Sequence, residues 1–304
     1  MPGGEHRPHH QHLGAGFPAH GGQGRQPTVI LRQSAALVRD TLQEASLRWI
    51  FWGYYGLSTA AILFFLFLLH VDVIEGARAT ISLLGETSAR AFPLQELVRR
   101  FYGAVAVLLY VHGMALAVFA AAGLMAAPLE GGRIEWLLAK PVARWRILGM
   151  RLLGSLIAVG LNVCYLVLSV WIILGWKTGV WDPSFLAVIA TVMFMFAVLL
   201  SVVTLAVVLA GSATLATMAA FALMLISPLL AQHKLMVKLL DSESWRNIWR
   251  ALYWALPKVY EVGRMNMDLL RGRPIESWMP VWSSALFAAL MLVAAFCLFA
   301  RRNY

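Results

Sequence analysis

Residues 130–154 read EGGRIEWLLAKPVARWRILGMRLLG, a compact basic island with one proline, set between the apolar runs 102–127 and 148–176. That alternation decides the fold. The hydrocarbon core of a bilayer is about 30 Å thick and a helix rises about 1.5 Å per residue, so a span needs roughly 20 mostly apolar residues. Both flanking runs meet that length, and the island between them is too charged to be buried in lipid. A mid-bilayer Arg or Lys costs about 2.5–3.5 kcal/mol on insertion scales.

Working outward, six runs qualify, near 50–71, 102–127, 148–176, 185–210, 212–231 and 281–300. The composition agrees, with 60% hydrophobic residues, 13% charged and a mean hydropathy of +0.72. Soluble domains run nearer 45–50% apolar and about 25% charged. The expected fold class is therefore all-α: a polytopic membrane protein of six transmembrane helices in one integral domain, 29–304. Only Gly211 and Ser212 separate the fourth and fifth runs, which requires a tight helical hairpin there. The first 28 residues hold no apolar signal core, so the first span is expected to act as an uncleaved insertion signal. Cys164 and Cys297 both fall inside apolar runs, which argues for buried free thiols over a disulfide framework.

Six spans put both ends of the chain on one side. That side would carry 12 Lys and Arg against 5 acidic residues, and the opposite side 13 against 10. Eight of those 13 lie in the long 232–278 loop, where charge is a weak orientation signal. The short island (loop 128–147) and Arg301–Arg302 then favour both termini in the cytoplasm.

Residues 1–28 are rich in Gly, Pro and His and are expected to be a disordered tail. His9, His10 and His12 are its weak candidate metal ligands, and a solvated tail without a defined site is the favoured reading. Leu31, Ala35, Val38, Leu42, Ala45 and Trp49 recur at helical spacing, opposite Arg32, Arg39, Asp40 and Glu44. This is an amphipathic helix suited to the membrane surface. Trp49, Trp52, Tyr54 and Tyr55 mark the interface beyond it. The mixed-charge segment 72–100 is read as holding a short helix. In the 232–278 loop, Trp245, Trp249, Leu252 and Leu256 share a helical face ended by Pro257, which reads as a structured interfacial or re-entrant cap with a structural role.

Chemistry is sparse. HExxH, CxxC and the phosphate loop GxxxxGK[ST] are missing from the sequence, so this chain is not expected to hydrolyse ATP itself or to bind a cofactor. His112 stands near the centre of the second run. Ionisable residues there face the bundle interior and mark function, or serve as neutral hydrogen-bonding histidines. Asn162 in the third run invites the same comparison, with helix glue as the commoner role. Both are candidate translocation-path residues. Gly103, Gly113, Gly123, Gly154 and Gly160 suggest close helix packing, and Pro228 a kink.

At the island the sequence resembles the permease subunits of ABC type-2 exporters. That family carries an acidic–Gly–Thr–x–Glu segment, two leucines, a Pro–Val–Ser–Arg stretch and a Gly–Lys entering the third span. Here Glu130, Gly132, Glu135, Leu137, Leu138, Pro141, Val142, Arg144, Gly149 and Arg151 fill the pattern. Arg133 replaces Thr, Ala143 replaces Ser, and Arg151 follows Met150 where Gly–Lys is expected. Leu256–Pro257, Tyr260–Glu261, the stretch Asp268-Leu269-Leu270-Arg271-Gly272 and the closing Arg301–Arg302 are similar to the final third of bacterial members. The resemblance covers 29–304.

The resemblance implies a transport subunit, not an enzyme, in a bacterial inner membrane. It pairs as a homodimer or heterodimer and binds two copies of a separate ATPase that carries ATP and Mg. It binds membrane lipid and no nucleic acid. The ATPase-coupling residues implied are Glu130, Gly132, Arg133, Glu135, Leu138, Lys140, Pro141, Arg144 and Arg146, with Trp136 and the leucines anchoring the loop. A plain positive-inside loop accounts for the same charges without a partner. A secondary transporter, or an intramembrane enzyme centred on His112, is the alternative; the first would need coupling carboxylates in its spans and the second a paired nucleophile. The cargo is not readable from the residues.

Overall fold

The computed structural model describes residues 27–74, 78–83, 86–87, 92–129, 143–239 and 242–301. Six helices among them are long and apolar enough to cross a membrane: Trp49–Phe67, Leu94–Ala126, Trp145–Thr178, Pro183–Ala210, Ala213–Ala231 and Met279–Arg301. The chain is an all-α polytopic membrane protein. Spans two and three begin before their apolar runs, because charged first turns extend each helix past the hydrophobic stretch.

Chain order begins with α1 (Pro27–Leu47) and α2 (Trp49–Leu63), which continues through a π-helical turn at Phe64–Leu68. Four short strands follow: β1 (Leu69–Ile74), β2 (Arg78–Leu83), β3 (Glu86–Thr87) and β4 (Phe92–Pro93). They form one antiparallel sheet in which β2 pairs with all three others, Leu69 opposite Leu83 and Ile74 opposite Arg78. This corrects the short helix expected in 72–100, and it ends the first span earlier than 71. β-branched residues supply the reason: HVDVI and ATISL favour the pleat over a helix.

Span two consists of α3 (Leu94–Leu108), a π turn at Leu109–Gly113 and α4 (Met114–Ala126). Then come α5 (Arg144–Thr178), α6 (Ala187–Ala210) with its 3-10 lead-in Pro183–Leu186, and α7 (Ala213–Ala231). The 232–278 loop holds α8 (His233–Leu239), α9 (Glu243–Ala255) and α10 (Val259–Leu270), and α11 (Met279–Arg301) is the last span.

The expected hairpin is present. Gly211 caps α6 at φ +65°, a conformation glycine adopts without steric cost, and Ser212 Oγ accepts from the Leu215 N–H as N-cap of α7. α6 is the centre of the bundle and packs on α4, α5, α7, α10 and α11. Its Val192, Met195, Phe196, Leu199, Leu200 and Val203 are all buried, which accounts for its being apolar on every face. α11 is the opposite case: Trp282, Leu286, Leu290 and Val293 recur at helical spacing and stay exposed, as on a lipid-facing stripe.

The element that enters the bundle from the 232–278 loop is α10, not the tryptophan face of α9. Trp245 and Leu252 are exposed, whereas Val259, Val262 and Leu270 are buried against α3, α6, α7 and α11. Tyr110 Oη donates to the Val259 carbonyl at 2.6 Å, and the Tyr260 N–H donates to Ser227 Oγ at 2.8 Å. Tyr110 lies well inside span two and Ser227 inside α7, so the start of α10 packs between these two spans. Glycine permits the approach: a Cβ on Gly263 would stand 2.8 Å from the Tyr110 ring.

Candidate coupling site and membrane groove

Two regions carry polar chemistry, at opposite ends of span two. The first lies where span two ends and α5 begins. α1 rests on α5, with Thr41 and Ala45 buried and Gly154 beneath Thr41, where a Cβ would approach to 2.7 Å. The buried stripe of α1 runs through Thr41 and Ala45, while Ala35 and Trp49 of the expected stripe are exposed.

Arg151, two turns into α5 and only 8% exposed, is the hub of this region. Its Nη1 donates to Glu44 Oε2 at 2.5 Å and to the Leu124 carbonyl at 3.3 Å, and its Nη2 lies 3.6 Å from Asp40 Oδ2. Glu44 also accepts from Arg48 Nη2 at 3.1 Å. Burial would push the Glu44 carboxyl up, but the Arg151 hydrogen bond and charge, with those of Arg48, hold it below its ordinary 4.5. The cluster joins α1, the end of span two and the start of span three. A buried arginine of this kind is stable only because its charge and donors are matched.

Sequence reasoning placed Arg151 in a family motif and set Asp40 and Glu44 on a solvated face. It missed that they meet. The available signal was the spacing of Asp40, Glu44 and Arg48, each four residues apart on one helical face.

Of the expected coupling residues, Glu130, Gly132, Arg133, Glu135, Leu138, Lys140 and Pro141 lie outside the described residues. So do His9, His10 and His12. Arg144 opens α5, and the Arg146 guanidinium sits 5.4 Å from the Trp145 ring centre as a cation–π pair. No cluster of three metal-ligating side chains occurs among the described residues.

Asn162 is wholly buried between spans one and three, where Ser58 Oγ donates to its Oδ1 at 2.8 Å. Its Nδ2 has no partner among the described residues. It ties two helices together and lies apart from His112.

His112 does not face the bundle interior as expected. It is exposed, on the face of span two shared with Val107, Leu108 and Val111. The π turn at 109–113 inserts an extra residue per turn here and shifts which side chains point inward, a feature frequent at functional sites.

This face forms the second region. A groove of about 580 Å³ runs between span two, α7 and α10, lined by Ala106, Tyr110, Phe221, Met224 and Pro228 among others. A wider groove of about 890 Å³ continues from it toward the sheet end of the bundle, past Gly103 and Leu108 to Arg99, Arg100, Arg271 and Arg273. Val107, His112 and Met267 line both, so the two make one trough.

At that end Asp182 accepts from the Ser184 N–H and Oγ at 3.0 and 2.6 Å, and Arg99 Nε lies 3.4 Å from its other oxygen. Burial raises the Asp182 pKa, and the Ser184 hydrogen bonds and Arg99 more than reverse it, leaving it below 3.8. Just before α10, Lys258 Nζ is buried over the Tyr253 ring and donates to the Tyr253 and Leu256 carbonyls. Burial lowers its pKa, with Glu261 opposing.

No protein-family model matches the chain, and no curated protein matches it by sequence.

Proposed function

We propose that the chain is the transmembrane permease subunit of an ATP-driven exporter, coupling a separate ATPase to movement of cargo across the membrane. One observation carries the reading. Arg151 ties the amphipathic α1 to the helices on either side of the 130–142 loop, through Glu44, Asp40 and the Leu124 carbonyl. A push on that loop therefore moves α1, the end of span two and the start of span three as one body. A loop that merely obeyed the positive-inside rule would have no use for such a brace. The resemblance of residues 130–151 to ABC type-2 permeases supports the same assignment.

In this reading two permeases, alike or related, pair in the plasma membrane with both termini cytoplasmic, and two ATPase copies engage the loops. Glu130, Glu135, Arg133, Lys140, Arg144 and Arg146 form the docking surface, and the ATP and Mg belong to the partner. The secondary-transporter or enzyme reading centred on His112 has less support, since the described residues lining the trough include no Ser or Cys and its Glu96 is engaged by Arg100 at 2.6 Å.

The test is reconstitution. Tagged protein is purified in mild detergent, the co-purifying ATPase is identified, and its ATP turnover is measured with and without the permease in vesicles. Stimulated turnover that disappears when Glu135, Arg144 and Arg146 become Ala, in a protein that still inserts and folds, supports the reading. A well-folded wild type that brings down no ATPase sinks it.

A further inference from the structure

We infer that the trough between span two, α7 and α10 binds an anionic glycerophospholipid, with its chains along the deep apolar part and its phosphate among the arginines at the sheet end. Three observations converge on this occupant.

The deep part is lined by alkyl and aromatic side chains, Ala106, Val107, Phe221, Met224, Leu225 and Pro228, and lies open on one side. Acyl chains need a surface of this kind and no polar partner. The opposite end is basic. Arg99, Arg100, Arg271 and Arg273 border it against Glu96, with Asp182 and Asp268 engaging Arg99 and Arg273, and Arg264 adds a fifth guanidinium on the wall of the narrower, apolar part. Counting those residues, five positive charges meet three negative ones, and neither Arg264 nor Arg271 forms an ion pair among the described residues. A guanidinium left without a carboxylate is suited to a phosphate, which it binds through two parallel donors.

The third observation lies between the two ends. Asn266 lines the trough, is 2% exposed, and its Oδ1 has no hydrogen-bond partner among the described residues. A buried acceptor left unmatched is costly and marks a place where a ligand donor belongs. Asn266 precedes Arg271 by five residues on a helix, about 7–8 Å along its axis at ~1.5 Å per residue. A hydroxyl-bearing headgroup folded back from its phosphate reaches across that interval.

The binding site stands on these residues alone; its use as the cargo site rests on the permease reading above. The experiment keeps the two apart by using the purified full-length chain without any ATPase. Phosphatidylglycerol and phosphatidylcholine are titrated separately onto the detergent-solubilised protein, and bound lipid is counted by native mass spectrometry. Wild type is expected to hold phosphatidylglycerol in preference to phosphatidylcholine. R264Q/R271Q, which changes two exposed side chains, should weaken phosphatidylglycerol about tenfold or more while leaving phosphatidylcholine unchanged. V107W, which fills the apolar part, should expel both lipids.

Equal retention of the two lipids by wild type, or an unchanged phosphatidylglycerol affinity in R264Q/R271Q, overturns the proposal. So does complete disulfide cross-linking of an L225C variant into a dimer with no lipid bound, since a second copy would then fill the trough. Loss of ATPase capture with lipid binding intact would fault the permease reading and leave this site standing.

Discussion

Arg151 Nη1 and Glu44 Oε2 lie 2.5 Å apart although 107 residues separate them in sequence. The pair locks a surface helix to a span, and its partners make it a junction. Glu44→Gln keeps the shape and removes the charge, leaving Arg151 with Asp40 and the Leu124 carbonyl. We expect a loss of about 1–3 kcal/mol, the usual cost of unmatching a buried polar group. Thermal unfolding in detergent measures it, and an unchanged Tm would show that the pair adds no net stability. If α1 transmits force, the same variant should also lower permease-stimulated ATP turnover.

The same carboxyl sets an acid limit. The Glu44 pKa lies below 4.5 in the folded chain, because Arg151 and Arg48 outweigh its burial. A depressed carboxylate contributes stability above its unfolded pKa and loses it as pH falls through the folded value. Asp182, held below 3.8 by Ser184 and Arg99 against its burial, acts in the same direction at the other end of the bundle. Stability should therefore be flat near neutrality and fall below about pH 4.5, with the fall shallower in Glu44→Gln. A fall equally steep in that variant would remove Glu44 from the account.

How much of this was legible in the sequence follows from what each feature depends on. The spans were legible because insertion depends on local apolar length, and Gly211–Ser212 could only be a turn between two such lengths. The trough was not, since it arises from Tyr110 meeting Val259 across 149 residues and from Gly263 letting that approach happen. Nor could single-residue periodicity place His112, because the π turn beneath it breaks the 3.6-residue count. The brace at Arg151 was half visible: the acidic face of α1 was read, but as solvent-facing, since nothing local says that a span begins beside it. The sheet at 69–93 was obscured by its mixed charges and Pro93.

Asp182 offers a local test at the end of span three. It caps the turn Pro183–Leu186, accepts from Ser184, and holds Arg99 of α3 at 3.4 Å. Asp182→Ala should cost about 0.5–2 kcal/mol, the range for losing an N-cap. Asp182→Asn keeps the cap acceptor and loses the Arg99 charge partner, so it should cost less. Exposed ion pairs are worth about 0–1 kcal/mol. Unfolding midpoints of the two variants side by side decide the split, and equal losses would mean that the cap contributes nothing beyond the charge.

The contact of α1 with α5 can be pried open sterically. A Cβ at Gly154 would stand 2.7 Å from Thr41 Cβ, closer than real side chains approach, and the obstacle is a β-branched residue on a neighbouring helix rather than a flexible tip. Gly154→Val must therefore lift α1 from α5 or shift its register. Either movement stretches the Glu44–Arg151 pair, which sits one helical turn away on each partner. Overpacking of this kind costs about 1–3 kcal/mol. The telling readout is not stability alone. Cysteines at Ala45 and Ala158, both buried beside this seam, should become more reactive to a small maleimide in Gly154→Val than in wild type. The paired change Gly154→Val with Thr41→Ala should restore protection, because removing the Thr41 branch returns the space. If the double variant stays as reactive as the single, α1 does not rest on α5 through this contact, and the brace proposed for coupling loses its footing.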